Sequence, residues 1–356
     1  MNKKRALIEF NVKNKKPKIL VIGTGGTMSA KPYKGTFKYG ESTQEDLINM
    51  IPELRENFDI DTTNLFRMDS SDMKPEHWLT LANTIYYKMK DYDGIVVTMG
   101  TDTMHYADTA IAFLIQNNNI PIVFTSSVID PTQINTDAKR NIKNAIYVAA
   151  TADIAETVVV FNGNILRATR TKKVNASEFD SFMGSSKIPL GRIEHLIKFN
   201  KEHKKRSNKK PKLYTKLETK IGMIRVYPGY DGERIKRSID YGLKGIILEG
   251  FGLGNLPLMD NSMKEAINYA NKKNVPIIIT SDCFLGRDWR ELYKADIGER
   301  LKGLKIIPVY DMLTETAYVK LMWVLAQTQE FSEVKKMMQK RYAGEISDDI
   351  TIKTVI

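Results

Sequence analysis

Short apolar runs alternate with amphipathic stretches along most of the chain. Residues 18–23 (KILVIG), 93–98 (DGIVVT), 120–125 (IPIVFT) and 157–161 (TVVVF) are too short for helices and rich in Val and Ile. Each predicts a strand buried on both faces. Between them, apolar positions recur at helical spacing near 43–56, 75–90, 104–117 and 134–150. Ser42 and Glu45 have the spacing of a capping box at the start of the first helix, and Pro75 suits the first position of the second. The pattern restarts later, with strands expected at 222–227 (GMIRVY), 245–249 (GIILE) and 275–280 (VPIIIT). Helices are expected near 231–242, 261–273, 313–328 and 331–341. Strand–helix alternation of this kind predicts an α/β protein: a parallel-sheet N-terminal domain with helices on both faces, then a smaller α/β C-terminal domain.

Charge sharpens the boundaries. The chain has 356 residues and a formal net charge of +12. Residues 1–18 carry seven Lys/Arg against Glu9, and residues 198–216 carry nine against Glu202, so everything else sums to −2. The expected organisation is a basic extension over 1–17, a catalytic domain over 18–197, a basic linker over 198–216 and a second domain over 217–356. Charge runs of this kind are either solvated segments or footprints for phosphate, and neither segment carries the interleaved aromatics of a base-stacking platform. A lone Cys283 excludes an internal disulfide framework and a Cys-rich metal site. No apolar run approaches the ~18 residues of a membrane span, and no signal-peptide core follows the basic start. A cytoplasmic protein is expected, with no membrane partner.

Candidate chemistry lies at two strand ends. The first strand runs into Gly23-Thr24-Gly25-Gly26-Thr27. A dinucleotide fingerprint would need glycine where Met28 stands, and the Gly-Lys-Ser/Thr of a P-loop is absent. What remains is a tight turn presenting two hydroxyls, Thr24 and Thr27. The second edge is Met99-Gly100-Thr101-Asp102-Thr103, where a carboxylate joins the hydroxyls. In an open α/β sheet the carboxyl ends of neighbouring strands form the ligand crevice, so Thr27, Thr101 and Asp102 are expected to converge. A threonine hydroxyl attacks only if a base takes its proton, and a lysine near a carboxylate can serve. Candidates lie in 167–173, where local pattern leaves Lys172 and Lys173 open. His77, His105, His195 and His203 have no ligand-spaced partners, so no metal site is expected.

The pair Thr24-Gly25-Gly26-Thr27 and Gly100-Thr101-Asp102-Thr103, in this order, resembles the two signatures of the L-asparaginase/glutaminase superfamily. The resemblance runs from Lys18 to the C-terminus. Within it, 70–78 (SSDMKPEHW), 103–106 (TMHY), 150–157 (ATADIAET), 249–257 (EGFGLGNLP), 317–328 (AYVKLMWVLAQT) and 343–346 (AGEI) are similar to the D-subunit family of archaeal glutamyl-tRNA(Gln) amidotransferases. The resemblance implies an asparaginase-like fold and a glutaminase that releases ammonia from glutamine through a threonine acyl-enzyme. The ammonia would pass to a partner, the amidotransferase E subunit, which uses ATP and Mg²⁺ to convert Glu-tRNA(Gln) to Gln-tRNA(Gln); no cofactor is implied in the glutaminase itself. A free-standing cytoplasmic L-asparaginase acting on asparagine is the alternative. Thr27 is implied as the nucleophile, with Thr101, Asp102 and Lys173 moving the proton; the family's spacing to Phe182 favours Lys173. Tyr33 is implied on a lid beside the nucleophile, Ser70, Ser71 and Asp72 around the substrate's α-carboxylate and α-amino group, and Asn255 on the neighbouring-subunit side of a homodimer site. Met99 departs from the family's usual His, a site-lining contact. The D-subunit family usually carries a further domain before the first strand, where this chain has 17 residues.

Overall fold

The computed structural model describes residues 15–33, 36–38, 42–186, 188–259, 261–285 and 303–347; for 31–33 and 36–38 it describes the backbone alone. Most of the expected N-terminal extension lies outside the described residues. The chain opens with β1 (Lys18–Gly25), a small antiparallel hairpin of β2 (Lys31–Tyr33) and β3 (Thr36–Lys38), α1 (Gln44–Asn49), α2 (Glu53–Asn57) and β4 (Asp59–Met68). It continues through α3 (Pro75–Lys88), β5 (Gly94–Thr98), α4 (Met104–Leu114), β6 (Ile115–Gln116), β7 (Ile122–Thr125), α5 (Ala138–Thr151), β8 (Thr157–Phe161) and β9 (Asn164–Arg167). Then come the hairpin β10 (Thr171–Lys173) and β11 (Phe182–Gly184), the edge strands β12 (Gly191–Ile193) and β13 (Ile197–Phe199), and β14 (Lys212–Leu213). The main sheet has the order β13-β12-β9-β8-β7-β5-β1-β4, parallel from β8 to β4 and antiparallel beyond.

Alternation within the strands loads both faces. Leu20, Ile22, Ile95, Val97, Ile122 and Phe124 join the core under α3 and α4, while Ile19, Val21, Val96, Val123, Val158 and Val160 join that under α1 and α5. Helices therefore cover both faces, as continuous apolar strands require. The first helix differs from expectation in two ways. Pro52 divides it into α1 and α2, since proline has no N–H to continue the ladder. Its capping box is Thr43 with Asp46, not Ser42 with Glu45: Thr43 Oγ1 accepts from Asp46 N–H at 3.1 Å and Asp46 Oδ2 accepts from Thr43 N–H at 2.8 Å. Ser42 is buried one residue too early to cap. The strand β4 eluded the pattern because it is an edge with mixed exposure.

The second domain contains β15 (Ile221–Arg225), α6 (Glu233–Asp240), β16 (Gly245–Gly250), α7 (Asn261–Lys272), β17 (Ile277–Ser281), β18 (Ile306–Pro308), α8 (Thr314–Leu325) and α9 (Phe331–Gln339). Its four strands are parallel in chain order. Helix α8 is buried along its length because it serves two domains: Trp323 stacks on Phe113 of α4 at 5.9 Å, and Thr316 Oγ1 donates to Thr169 O at 2.9 Å.

The basic segment between the domains is held against the body. Arg206 donates to Ala149 O, Ala152 O and Asp93 O at 2.7, 2.9 and 2.5 Å, placing a cation on the carbonyls that end α5. β14 pairs with β6. Glu156 accepts from Lys204 N–H at 2.7 Å, and Ala155 N–H donates back to Lys204 O. Lysines 198, 205, 209, 210 and 216 face solvent along this strap.

A buried ion pair locks the C-terminal segment to α8. Lys320 Nζ donates to Glu345 Oε1, Met338 O and Lys340 O at 2.7, 2.9 and 2.6 Å, with both charged side chains fully buried. Removing one partner of such a pair strands the other charge, so Lys320→Met is expected to cost about 3–5 kcal/mol in urea unfolding at neutral pH. Acid should erode the same junction. Burial opposes ionisation of Glu345 and Asp311, but Lys320 and Arg170 beside them hold both carboxyls below their ordinary range. The unfolded chain binds these protons first, so their stabilisation is complete above about pH 4.5 and is lost as pH falls through the folded values. Urea midpoints measured from about pH 5 downward check this: a midpoint that stays flat contradicts it.

Candidate active site

Three turns meet at the carboxyl end of the main sheet because two of them lack a Cβ where they touch. Gly25 and Gly26 have φ of +108° and +74°, conformations that favour glycine. A Cβ on Gly25 would stand 2.2 Å from Met68 O, and one on Gly26 would stand 2.2 Å from Gly100 N. Gly100 in turn leaves room for Ser70, whose Oγ would lie 2.6 Å from any Cβ there. Residues Thr27 and Thr101, each following one of the two touching glycines, therefore sit on the two lips of one crevice. The hydroxyls of the first turn part company. Thr24 is buried and donates to Thr98 O at 3.1 Å, tying β1 to β5, whereas Thr27 is half-buried at the start of a short 3-10 turn, Thr27–Ser29. Of the two, Thr27 is the one left for chemistry.

The second lip carries a lysine hydrogen-bonded to its threonine and its carboxylate. Lys173 Nζ donates to Thr101 Oγ1 at 2.8 Å and to Asp102 Oδ1 at 2.6 Å. The lysine side chain is only 16% exposed, while Asp102 is 59% exposed, so solvent screens the ion pair and the directed hydrogen bonds do the aligning. The β10–β11 hairpin sets that reach, with Lys173 opposite Phe182. Lys172 turns elsewhere and pairs with Glu315 of α8 at 2.6 Å. Geometry thus separates two lysines that local sequence leaves equivalent.

The third turn is a rim and a rivet. Ser70 is buried; its Oγ accepts from Asp102 N–H at 3.2 Å and its carbonyl accepts from Thr103 Oγ1 at 2.6 Å. It holds the Asp102 turn in place from below. Ser71 and Asp72 are exposed beside it, and Ser71 leans on Asp69 through its N–H and hydroxyl. Met99 is fully buried in the core with Met73 and Met104, and its thioether replaces the polar side chain the family usually places there. Tyr33 ends β2, and its side chain lies outside the described residues. Asn255 stands in the turn after β16, where its backbone exchanges hydrogen bonds with Phe251, apart from the Thr27–Lys173 group. Its Oδ1 is buried without a partner among the described residues.

Sequence reading missed the layer behind Lys173. His105, on the first turn of α4, is buried, and burial pushes its pKa down to about 4, so it is neutral near pH 7. Its ring lies 4.6 Å from that of Tyr106, which meets Tyr318 edge-on. Glu315 reaches this layer from the second domain, and only tertiary packing could bring it there. Among the described residues no group of three or more His, Cys, Asp or Glu is placed to hold a metal ion, and no helix is long and apolar enough to cross a membrane.

A poised lysine on one threonine, opposite a second threonine beside two glycine turns, is suited to acyl transfer. Comparison with known proteins agrees. Residues 18–205 match the family model "Asparaginase, N-terminal", and 220–338 match "Glutaminase/Asparaginase C-terminal domain". The D subunit of the glutamyl-tRNA(Gln) amidotransferase of Pyrococcus abyssi is 36% identical over 93% of this chain and 77% of its own length. That of Methanococcus maripaludis is 35% identical over 96% and 84%. Among solved structures, the thermostable L-asparaginase from Thermococcus kodakarensis superposes with a TM-score of 0.85 at 29% identity, covering 93% of this chain and 99% of that one. With both domains matched and the two threonine turns joined across Gly26 and Gly100, this chain belongs to the asparaginase/glutaminase family.

Proposed function

We propose that this protein is the glutamine-hydrolysing subunit of a tRNA-dependent amidotransferase. The observation that carries the reading is the Lys173–Thr101–Asp102 group facing Thr27, in a chain whose sequence follows the amidotransferase D subunits across more than nine-tenths of its length. Thr27 Oγ attacks the side-chain carboxamide carbon of glutamine as its proton passes toward the Thr101–Lys173 pair. The carbonyl π electrons move to oxygen, where backbone N–H groups of the glycine turns can receive the charge. Collapse of the tetrahedral intermediate breaks the C–N bond, and the leaving nitrogen takes a proton to depart as ammonia. Water then adds to the acyl-threonine ester, giving glutamate and restoring Thr27.

Ser71 and Asp72, exposed at the rim, suit the α-amino and α-carboxylate end of the substrate: Asp72 for the ammonium, the serine hydroxyl for the carboxylate. Asn255, distant from the group in its own chain, suits a homodimer in which the second domain of one copy closes the crevice of the other. Ammonia would pass to a partner, the amidotransferase E subunit, where ATP and Mg²⁺ activate Glu-tRNA(Gln); the present chain needs no cofactor for the hydrolysis itself. The solved asparaginase relatives favour a second reading, a free-standing L-asparaginase.

Thr27→Ala should abolish ammonia release from L-glutamine, and Lys173→Met should lower kcat about 10²–10⁴-fold, both read by a coupled ammonia assay. Gly100→Ala, which forces a Cβ onto Ser70 Oγ, should impair turnover by at least about tenfold while the chain still folds, as circular dichroism would report. Co-purification tests the assembly: retention of a large tRNA-binding subunit, and glutamine turnover stimulated by it with Glu-tRNA(Gln), are expected. Rapid turnover of L-asparagine, indifferent to partner and tRNA, would establish the second reading instead.

A further inference from the structure

Lys172 and Lys173 are adjacent on β10, and successive side chains of a strand leave on opposite faces. One goes to Thr101 and Asp102; the other goes to Glu315, on the first turn of α8 in the second domain. This second pair is well shielded, with Glu315 10% and Lys172 33% exposed at the side chain, so its charges are less screened than those of a surface pair. Glu315 Oε1 takes Lys172 at 2.6 Å, while its Oε2 is buried without a hydrogen-bond partner in the described structure. His105 Nδ1, behind the same group, is buried and unpartnered as well. A carboxylate kept in so dry a place, with one oxygen unsatisfied, is costly as a mere tether.

From this arrangement we infer that Glu315 is a positioning residue for amide hydrolysis: by neutralising Lys172, next to Lys173 on β10, it sets from the second domain the pH at which Lys173 serves as base. The inference rests on the acyl-transfer reading of Thr27. The charges around Lys173 make it checkable. On its own strand stands Lys172, and on the turn after β5 its partner Asp102; behind them His105 of α4 feels Glu315, Lys172, Lys173 and Asp102, while Tyr106 of α4 feels Glu315 and Tyr318 of α8 and Glu249 of β16. His105 is neutral there, for burial outweighs the pull of Glu315, and the tyrosines are protonated because burial opposes the ionisation of both, with Glu315 adding to it at Tyr106. Asp102 is the charge bonded to Lys173, and beside it Lys172 and Glu315 cancel as a pair.

Deleting either member of the pair leaves the other's charge uncompensated, and the two deletions act in opposite directions. In Glu315→Gln the bare Lys172 cation disfavours a second proton on Lys173, so the acid limb of the kcat profile for L-glutamine moves to lower pH. In Lys172→Gln the bare Glu315 anion favours that proton, and the limb moves to higher pH. Each shift is expected to be at least about half a pH unit, a roughly threefold change in the free amine at fixed pH on that limb. The double variant should return to within about 0.2 unit of the parent profile, as a double-mutant cycle on a coupled pair requires. Carbamylation of Lys173 by cyanate, read by peptide mass spectrometry, reports the free amine with no substrate present. It should quicken in Glu315→Gln and slow in Lys172→Gln. Limbs and labelling rates that stay put, or move the same way in both variants, would overturn the inference and leave Glu315 a packing contact. A chain that hydrolyses neither glutamine nor asparagine would refute the proposed function, and the labelling rates would still decide this point.

Discussion

The active site exists because two backbones touch where side chains are absent. Gly26 and Gly100 approach so closely that a single methyl group on either would collide with the backbone of the other or with Ser70. That contact draws together the ends of β1 and β5, already neighbours in register with Gly23 beside Thr98. Strand β1 lies at the point where the winding reverses, with β4 on one side and β5 on the other. An open parallel sheet forms its crevice at such a point, since successive connections leave toward opposite faces. The glycines bring the backbones of the two turns into contact, and with them the threonines that follow, Thr27 and Thr101. Thr24, Ser70 and Asp69 then hold the three turns with hydrogen bonds that a substrate never needs to replace.

The second domain is more than a neighbour. Helix α8 is buried on all sides because it stacks Trp323 on α4, anchors the C-terminal segment through Lys320 and sends Glu315 toward β10. One helix thereby joins stability to the placement of the lysine layer. The buried pairs Lys320–Glu345 and Arg170–Asp311 are satisfied by extra hydrogen bonds, the condition under which dry charges are tolerated. Glu315 differs from these pairs in leaving Oε2 without a hydrogen-bond partner in the described structure.

The basic segment shows how charge density misleads about structure. High charge and few apolar residues read as a solvated linker, yet Arg206 donates its guanidinium to three carbonyls, and Lys204 donates its N–H to the Glu156 carboxylate and accepts from Ala155 N–H. A strap needs little apolar surface if its polar groups find partners, and composition cannot report those partners.

The strands rich in Val and Ile, the two-sided burial they demand and the glycine–threonine turns at their ends were legible in the chain itself, because backbone sterics and burial act over a few residues. The two threonine turns became readable as amide chemistry only as a pair, through the family they resemble, since a threonine beside a glycine turn can equally serve structure, as Thr24 does. The choice of Lys173 over Lys172 required the family's spacing; unaided pattern could not make it, for the two residues are chemically identical and differ only in what lies across from them. The inward turn of Thr24 and Met99, the shift of the cap to Thr43, and the role of Ser70 as a rivet came from packing alone. Glu315 was invisible beforehand for the same reason, and His105 was legible only as a histidine without ligand-spaced partners. Periodicity says which face a residue occupies, whereas the partner it meets there is decided when distant segments fold onto one another.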